Sequence, residues 1–104
     1  MFKLQPNPTF WAAISIPMPG AKKDTLLDVE FKHKPKSDLD QYIKGYTAEA
    51  DDAEYLSEIV CGWKGVDAEF NRENFALLLD NYPAAAREIV SGYISAMMES
   101  RKKN

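Results

Sequence analysis

Cysteine and histidine are almost missing from this chain. Cys61 and His33 are the single residues of their types among 104. One thiol can form no internal disulfide and no Cys-x-x-Cys site, which fits a reducing compartment without requiring one. One imidazole leaves a metal site dependent on carboxylates, and none stand at ligand spacing around it. Long apolar runs are missing too. The run over residues 10–16 is seven residues long and bounded by prolines, against the ~20 that a membrane-spanning helix requires. No signal-peptide pattern opens the sequence. These absences point to a soluble, cytoplasmic protein. Linkers, repeats and low-complexity stretches are also lacking, which predicts a single domain over 1–104, long enough to build a modest core without disulfide or metal.

Catalytic patterns are equally scarce. Ser15, Ser57, Ser91 and Ser95 have no nucleophile-elbow motif around them. Asp51-Asp52-Ala53-Glu54 reads as an acidic first turn of a helix, where the helix dipole favours negative charge, rather than as a calcium loop. Gly20-Ala21-Lys22-Lys23 has neither the spacing nor the strand-to-helix setting of a phosphate loop. His33 reads as a strand residue and Cys61 as a small core thiol, with no helix N-terminus or spaced histidine to activate it. With no triad, dyad or metal set, the chain is expected to have no enzymatic activity and no cofactor.

What is present is apolar and unevenly charged. Hydrophobic residues make up 45% and aromatics 12%, enough to fold rather than remain disordered. Residues 1–35 carry five Lys against three Asp or Glu, for +2; residues 36–82 carry four Lys or Arg against eleven acids, for −7; residues 83–104 carry four against two, for +2. An acidic middle repels phosphate, which argues against a nucleic-acid surface. It reads either as a solvated helical face or as a patch complementary to a basic partner segment.

The periodicities predict an α+β fold with a β part over 1–35, a helical part over 36–101 and a short basic tail over 101–104. Leu27, Val29, Phe31 and His33 alternate with Asp28, Glu30, Lys32 and Lys34, the pattern of a strand with one buried face. Upstream, Phe10, Ala12, Ile14 and Ile16 alternate with Trp11, Ala13 and Ser15, a second strand apolar on both faces until Ser15. Pro17-Met18-Pro19-Gly20 ends it, so a hairpin with a long connection is expected, and residues 2–5 are a candidate third strand. Beyond Pro35 three to four helices are expected. Ser37 is a candidate N-cap of the first, and the second is expected over 50–61, stopped by Gly62. Asn71 is expected to cap a third bearing Phe75, Leu78, Leu79 and Tyr82, and Pro83 to open a fourth reaching about residue 100.

Two features stand out as candidate sites. Trp63-Lys64-Gly65-Val66-Asp67 reads as a defined joint between helices: Gly62 and Gly65 can take positive φ, Trp63 can lock the joint into a core, and Asp67 can cap or brace the next helix. The fourth helix carries two adjacent apolar rows, Ile89/Tyr93/Met97 and Val90/Ile94/Met98. Such a face either packs centrally or leaves part of itself open for a partner. Tyr93, Ile94, Met97 and Met98 are the candidate partner-binding residues, because flexible thioethers suit adaptable apolar contacts.

Three stretches, in this order and spacing, resemble one family. They are Asn7-Pro8-Thr9-Phe10-Trp11 leading to Ile16-Pro17-Met18-Pro19-Gly20, then Val29-Glu30-Phe31-Lys32-His33-Lys34, then Val60-Cys61-Gly62-Trp63-Lys64-Gly65-Val66-Asp67 with Phe70. Asn74-Phe75-Ala76-Leu77-Leu78 and Tyr82-Pro83-Ala84-Ala85 continue the likeness over nearly the whole chain. The sequence is similar to the tail assembly chaperones of long-tailed bacteriophages and prophages. The resemblance implies a role and no catalytic or ligand residue. That role is to bind the tape measure protein in the cytoplasm of the bacterial host, keep it soluble and help recruit tail tube subunits. A minor structural tail or neck protein retained in the virion is the alternative, and a small nucleic-acid-binding regulator the third reading. The resemblance also gives meaning to Lys102-Lys103-Asn104. Their codons can form an adenine run on which ribosomes slip, appending a further domain; a plain Lys-rich tail reads the same way in protein sequence.

Overall fold

The computed structural model describes residues 1–47 and 50–98. Its elements are β1 (Thr9–Ile16), β2 (Thr25–Lys32), α1 (Lys36–Lys44), α2 (Asp52–Ser57), β3 (Val60–Lys64), α3 (Arg72–Asn81) and α4 (Ala85–Met98). The three strands form an antiparallel sheet in the order β1-β2-β3. The helices cover one face of it, α4 against β1 and α2 against β3, α3 and α4. This is the α+β class expected.

The β1–β2 hairpin follows the alternation. Thr9 pairs with Lys32 and Ile16 with Thr25, so Ile14, Ile16, Leu27, Val29 and Phe31 all point into the core. The apolar residues on the other face of β1 are not buried: Trp11 and Ala13 lie on the open side of the sheet. There the Lys64 ammonium sits 4.2 Å from the Trp11 ring centroid, a cation–π contact across the sheet. His33 lies just beyond β2, half-buried, its backbone N–H donating to the Pro8 carbonyl at 2.9 Å.

The third strand is not residues 2–5, which form no strand, but Val60–Lys64, across the end of the expected second helix and the start of the expected joint. Its register explains the disguise. Phe31 pairs with Val60 and Glu30 with Gly62, leaving Cys61 as the extra residue of a β-bulge. The bulge lets Val60 and Trp63, three apart, both turn toward the core, a spacing that mimics a helix. The second helix is correspondingly short. Asp51 caps it, accepting from the Glu54 N–H at 3.2 Å, and it ends at Ser57.

Other element ends differ from expectation by a few residues. Pro35, not Ser37, is the N-cap of α1, without a side-chain bond. Asn71 caps α3 as expected, accepting from the Asn74 N–H at 2.8 Å. Pro83 stands in the turn before α4, which begins at Ala85. The expected helix end near residue 100 and the basic tail over 101–104 lie outside the described residues.

Among the described residues, Tyr93, Phe31, Phe75, Leu56, Ile59, Ile89 and Val29 are the largest fully buried side chains, drawn from the sheet, from α2, α3 and α4, and, for Ile59, from the turn between α2 and β3. The link from α1 to α2 is aromatic. Tyr42 and Tyr55 stack with centroids 4.1 Å apart. Each hydroxyl donates to the other residue's backbone carbonyl, Tyr42 to Tyr55 at 2.8 Å. That reciprocal pair satisfies two buried hydroxyls and two carbonyls at once.

Candidate functional site

No group of three or more His, Cys, Asp or Glu side chains among the described residues is placed to hold a metal ion. The Cys61 thiol is half-buried at the bulge and donates to the Glu30 carbonyl at 3.6 Å. Burial, then the Glu30 carboxylate, pushes its pKa up, the reverse of what a nucleophilic thiol needs. The geometry therefore directs attention to surfaces.

The residues expected to form a helix–helix joint divide between a strand and the turn after it. Gly62 and Trp63 belong to β3. Gly62 does not take the positive φ expected of it, and a Cβ there would lie 3.0 Å from Glu30 Oε1, the tip of a flexible side chain. Gly65 has φ of 81°, and a Cβ there would meet nothing within 4 Å, so its backbone conformation rather than space selects glycine. Trp63 is half-buried. It meets Phe70 edge-on at 5.2 Å and Phe75 at 6.2 Å, while its indole N–H donates to the Ala68 carbonyl at 2.9 Å. It fastens the loop before α3 to the sheet. Asp67 is exposed and does not cap α3, whose N-cap is Asn71.

The two apolar rows of α4 diverge. Ile89 and Tyr93 are completely buried, facing the sheet. Tyr93 lies 5.0 Å from Phe31 and 6.1 Å from Phe10 by ring centroid, and its hydroxyl donates to the Lys32 carbonyl at 2.8 Å. Burial pushes its pKa up to about 12. Tyr93 is therefore a core residue, not a surface contact. Its row emerges only at Met97, half-buried in a groove of ≈ 370 Å³ with Phe10, His33 and Asn7. In the second row Ile94 lines a groove of ≈ 280 Å³ with Tyr46, Arg87 and Val90, and Met98 is 57% exposed. Ile94, Met97 and Met98 thus bring apolar surface to the end of the helix.

Gly92 carries a role that the row pattern does not reveal. A Cβ there would stand 2.3 Å from Ile14 Cδ1, so its absence lets α4 approach β1 closely. The available signal is the glycine itself, which is unfavourable in mid-helix unless packing requires it.

Two further apolar features escape the sequence reading. Phe2 and Leu4 are 88% and 92% exposed in the segment before β1. At the opposite end of the hairpin, Met18, Leu26, Val66, Leu78 and Tyr82 line a groove of ≈ 310 Å³ with Asp67 beside them. Leu26 is 69% exposed, and the Leu26-Leu27 doublet, which breaks the alternation of β2, is the sequence signal for it.

No helix among the described residues is long and apolar enough to cross a membrane. No curated protein and no solved structure matches the chain. A family model described as "Phage tail assembly chaperone" matches residues 1–104, the whole length given. The exposed apolar surfaces suit a chaperone, a non-catalytic kind of protein whose partners are tail proteins, and the chain belongs to the phage tail assembly chaperone family.

Proposed function

We propose that this protein binds the tape measure protein in the cytoplasm of the bacterial host, keeps it soluble until the tail assembles, and helps recruit tail tube subunits. The chain would act as one domain. The client surface is the C-terminal part of α4: Met98 and Met97 supply adaptable thioether contacts, Ile94 extends the apolar strip, and buried Tyr93 holds the helix in place from beneath. The observation that carries this reading is the apolar end of α4, exposed at Met98 and bordered by grooves at Ile94 and Met97. A long apolar helical client would lay one face along such a strip.

The test is co-expression with the tape measure protein and capture through a tag on the chaperone. Met98→Asp alone, and then with Met97→Asp, should abolish capture while circular dichroism stays unchanged. Unchanged capture by both folded variants would move the client surface elsewhere. No capture by the wild-type protein would remove the client itself.

A further inference from the structure

We propose that the free edge of β1 binds an extended segment of a different protein, which joins the sheet as a fourth strand antiparallel to β1 and carries a Lys or Arg beside Glu88. The inference goes beyond the client surface on α4 and does not depend on it.

The edge calls for a backbone. β1 lies at the margin of the sheet and pairs with β2 on one side. Among the described residues, no backbone group of 9–16 bonds to any segment but β2. Successive residues of an antiparallel strand turn their N–H and C=O groups to opposite sides, so alternate residues of β1 offer theirs outward. Natural sheets protect such an edge by keeping it short, or with a charge, a proline or a bulge. β1 has none of these. It is eight residues long, without a charge or a proline, and pairs with β2 in unbroken register. Pro8 and Pro17 stand just outside it and confine pairing to these residues. An added strand would also cover apolar surface on both faces: Trp11 and Ala13, exposed on the open side, and Phe10 and Ala12, half-buried on the helix side. An occupant of alternating apolar and small polar residues matches that surface.

One charge distinguishes the occupant. On α4, Gly92 packs against Ile14, and Ala96, one turn on, lines a groove with Thr9 and Phe10. Glu88, one turn before Gly92, shares that flank and falls toward the Ile16 end of β1. Its ion pair is with the adjacent Arg87 at 3.6 Å, whose side chain is 74% exposed, a surface pair of little strength. A cation opposite Ile16 would meet this carboxylate. The β1 of a second copy supplies no cation, so the occupant is a different protein.

The probe is an eight-residue synthetic peptide with Lys first, Val at the other odd positions and Thr at the even ones. Paired antiparallel, its Lys lies opposite Ile16. Titration calorimetry should show binding, and hydrogen exchange by NMR should slow at alternate amides of β1. Two further peptides carry one backbone N-methyl group, at the fourth or at the fifth residue. One of these amides faces β1 and the other faces away, so one peptide should lose at least ~10-fold in affinity and the other should keep it. Glu88→Gln should weaken the Lys peptide by ~3–5-fold and leave a peptide with Val in place of Lys unchanged. Absence of binding at millimolar peptide overturns the proposal. So does an equal response to the two N-methyl groups, or an equal effect of Glu88→Gln on both peptides. Protection of the β1 amides that grows with protein concentration, without peptide, places a second copy on the edge and overturns it as well.

Discussion

The close approach of α4 to β1 at Gly92 can be tested by a substitution whose sign is decided by two opposing terms. Alanine is better than glycine in a helix interior by ~1 kcal/mol, so Gly92→Ala on an open surface would stabilise. Here the new methyl would begin 2.3 Å from Ile14 Cδ1, where real contacts do not fall below 3.0 Å. Ile14 is itself buried against the core, so its terminal methyl cannot swing into solvent. Overpacking of this kind costs ~1–3 kcal/mol, which outweighs the propensity gain and leaves Gly92→Ala neutral to ~2 kcal/mol destabilising. The remaining Ile14 atoms near the site, Cγ1 at 3.7 Å and Cγ2 at 4.0 Å, are at ordinary contact distance. Ile14→Val removes the clashing atom alone, at a cost of ~0.5–1.5 kcal/mol by itself. In the Ile14→Val background, Gly92→Ala should therefore become stabilising by up to ~1 kcal/mol. Urea denaturation of the four proteins measures this as the coupling term of a double-mutant cycle. Equal effects of Gly92→Ala in both backgrounds would refute the argument, and with it the reading of Gly92 as the residue that sets the distance between helix and sheet.

Trp63→Ala should destabilise by ~3 kcal/mol, the lower end for a buried aromatic because Trp63 is only half-buried; a melting temperature like wild type would show that the loop before α3 holds without it. Tyr42→Phe leaves the Tyr55 carbonyl without its donor and should cost ~1–3 kcal/mol in chemical denaturation, with no change expected if water replaces the hydroxyl. For Tyr93 the folded-state pKa of about 12 lies above the ordinary value of 10.0, so its contribution is full below pH 10 and is lost as pH rises toward 12. Stability should fall by up to ~1.4 kcal/mol per pH unit in that window for this residue alone, and the fall should be shallower in Tyr93→Phe, as read by urea midpoints at each pH.

The strand faces are legible in sequence wherever one side of the sheet is covered and the other is wet. Leu27, Val29 and Phe31 alternate with charged residues because the helices lie on one face only. The same rule misleads at β1, where Trp11 and Ala13 suggest burial on both sides. They face the open side, with Lys64 over the Trp11 ring. β3 is illegible for a specific reason. A bulge at Cys61 shifts the period so that Val60 and Trp63 share a face, and period-two reasoning has no place for an extra residue. Of the glycines in 62–67, Gly65 marks a demand of the backbone, a turn with positive φ rather than a helix stop, whereas Gly62 sits in β3 without a positive φ.

The candidate surface shows what sequence periodicity can and cannot resolve. Two apolar rows on one helix are equally hydrophobic in sequence, and only the position of the sheet decides which is core. Gly92 lets α4 settle against Ile14, with Ile89, Val90 and Tyr93 enclosed, while Ile94 is half-buried and Met98 is exposed. A substitution that pushes α4 away from β1 should loosen Tyr93 and reorient Met97 and Met98 together. Client capture and core stability would then fail in the same variants, unlike Met98→Asp, which changes the surface and leaves the core as it is.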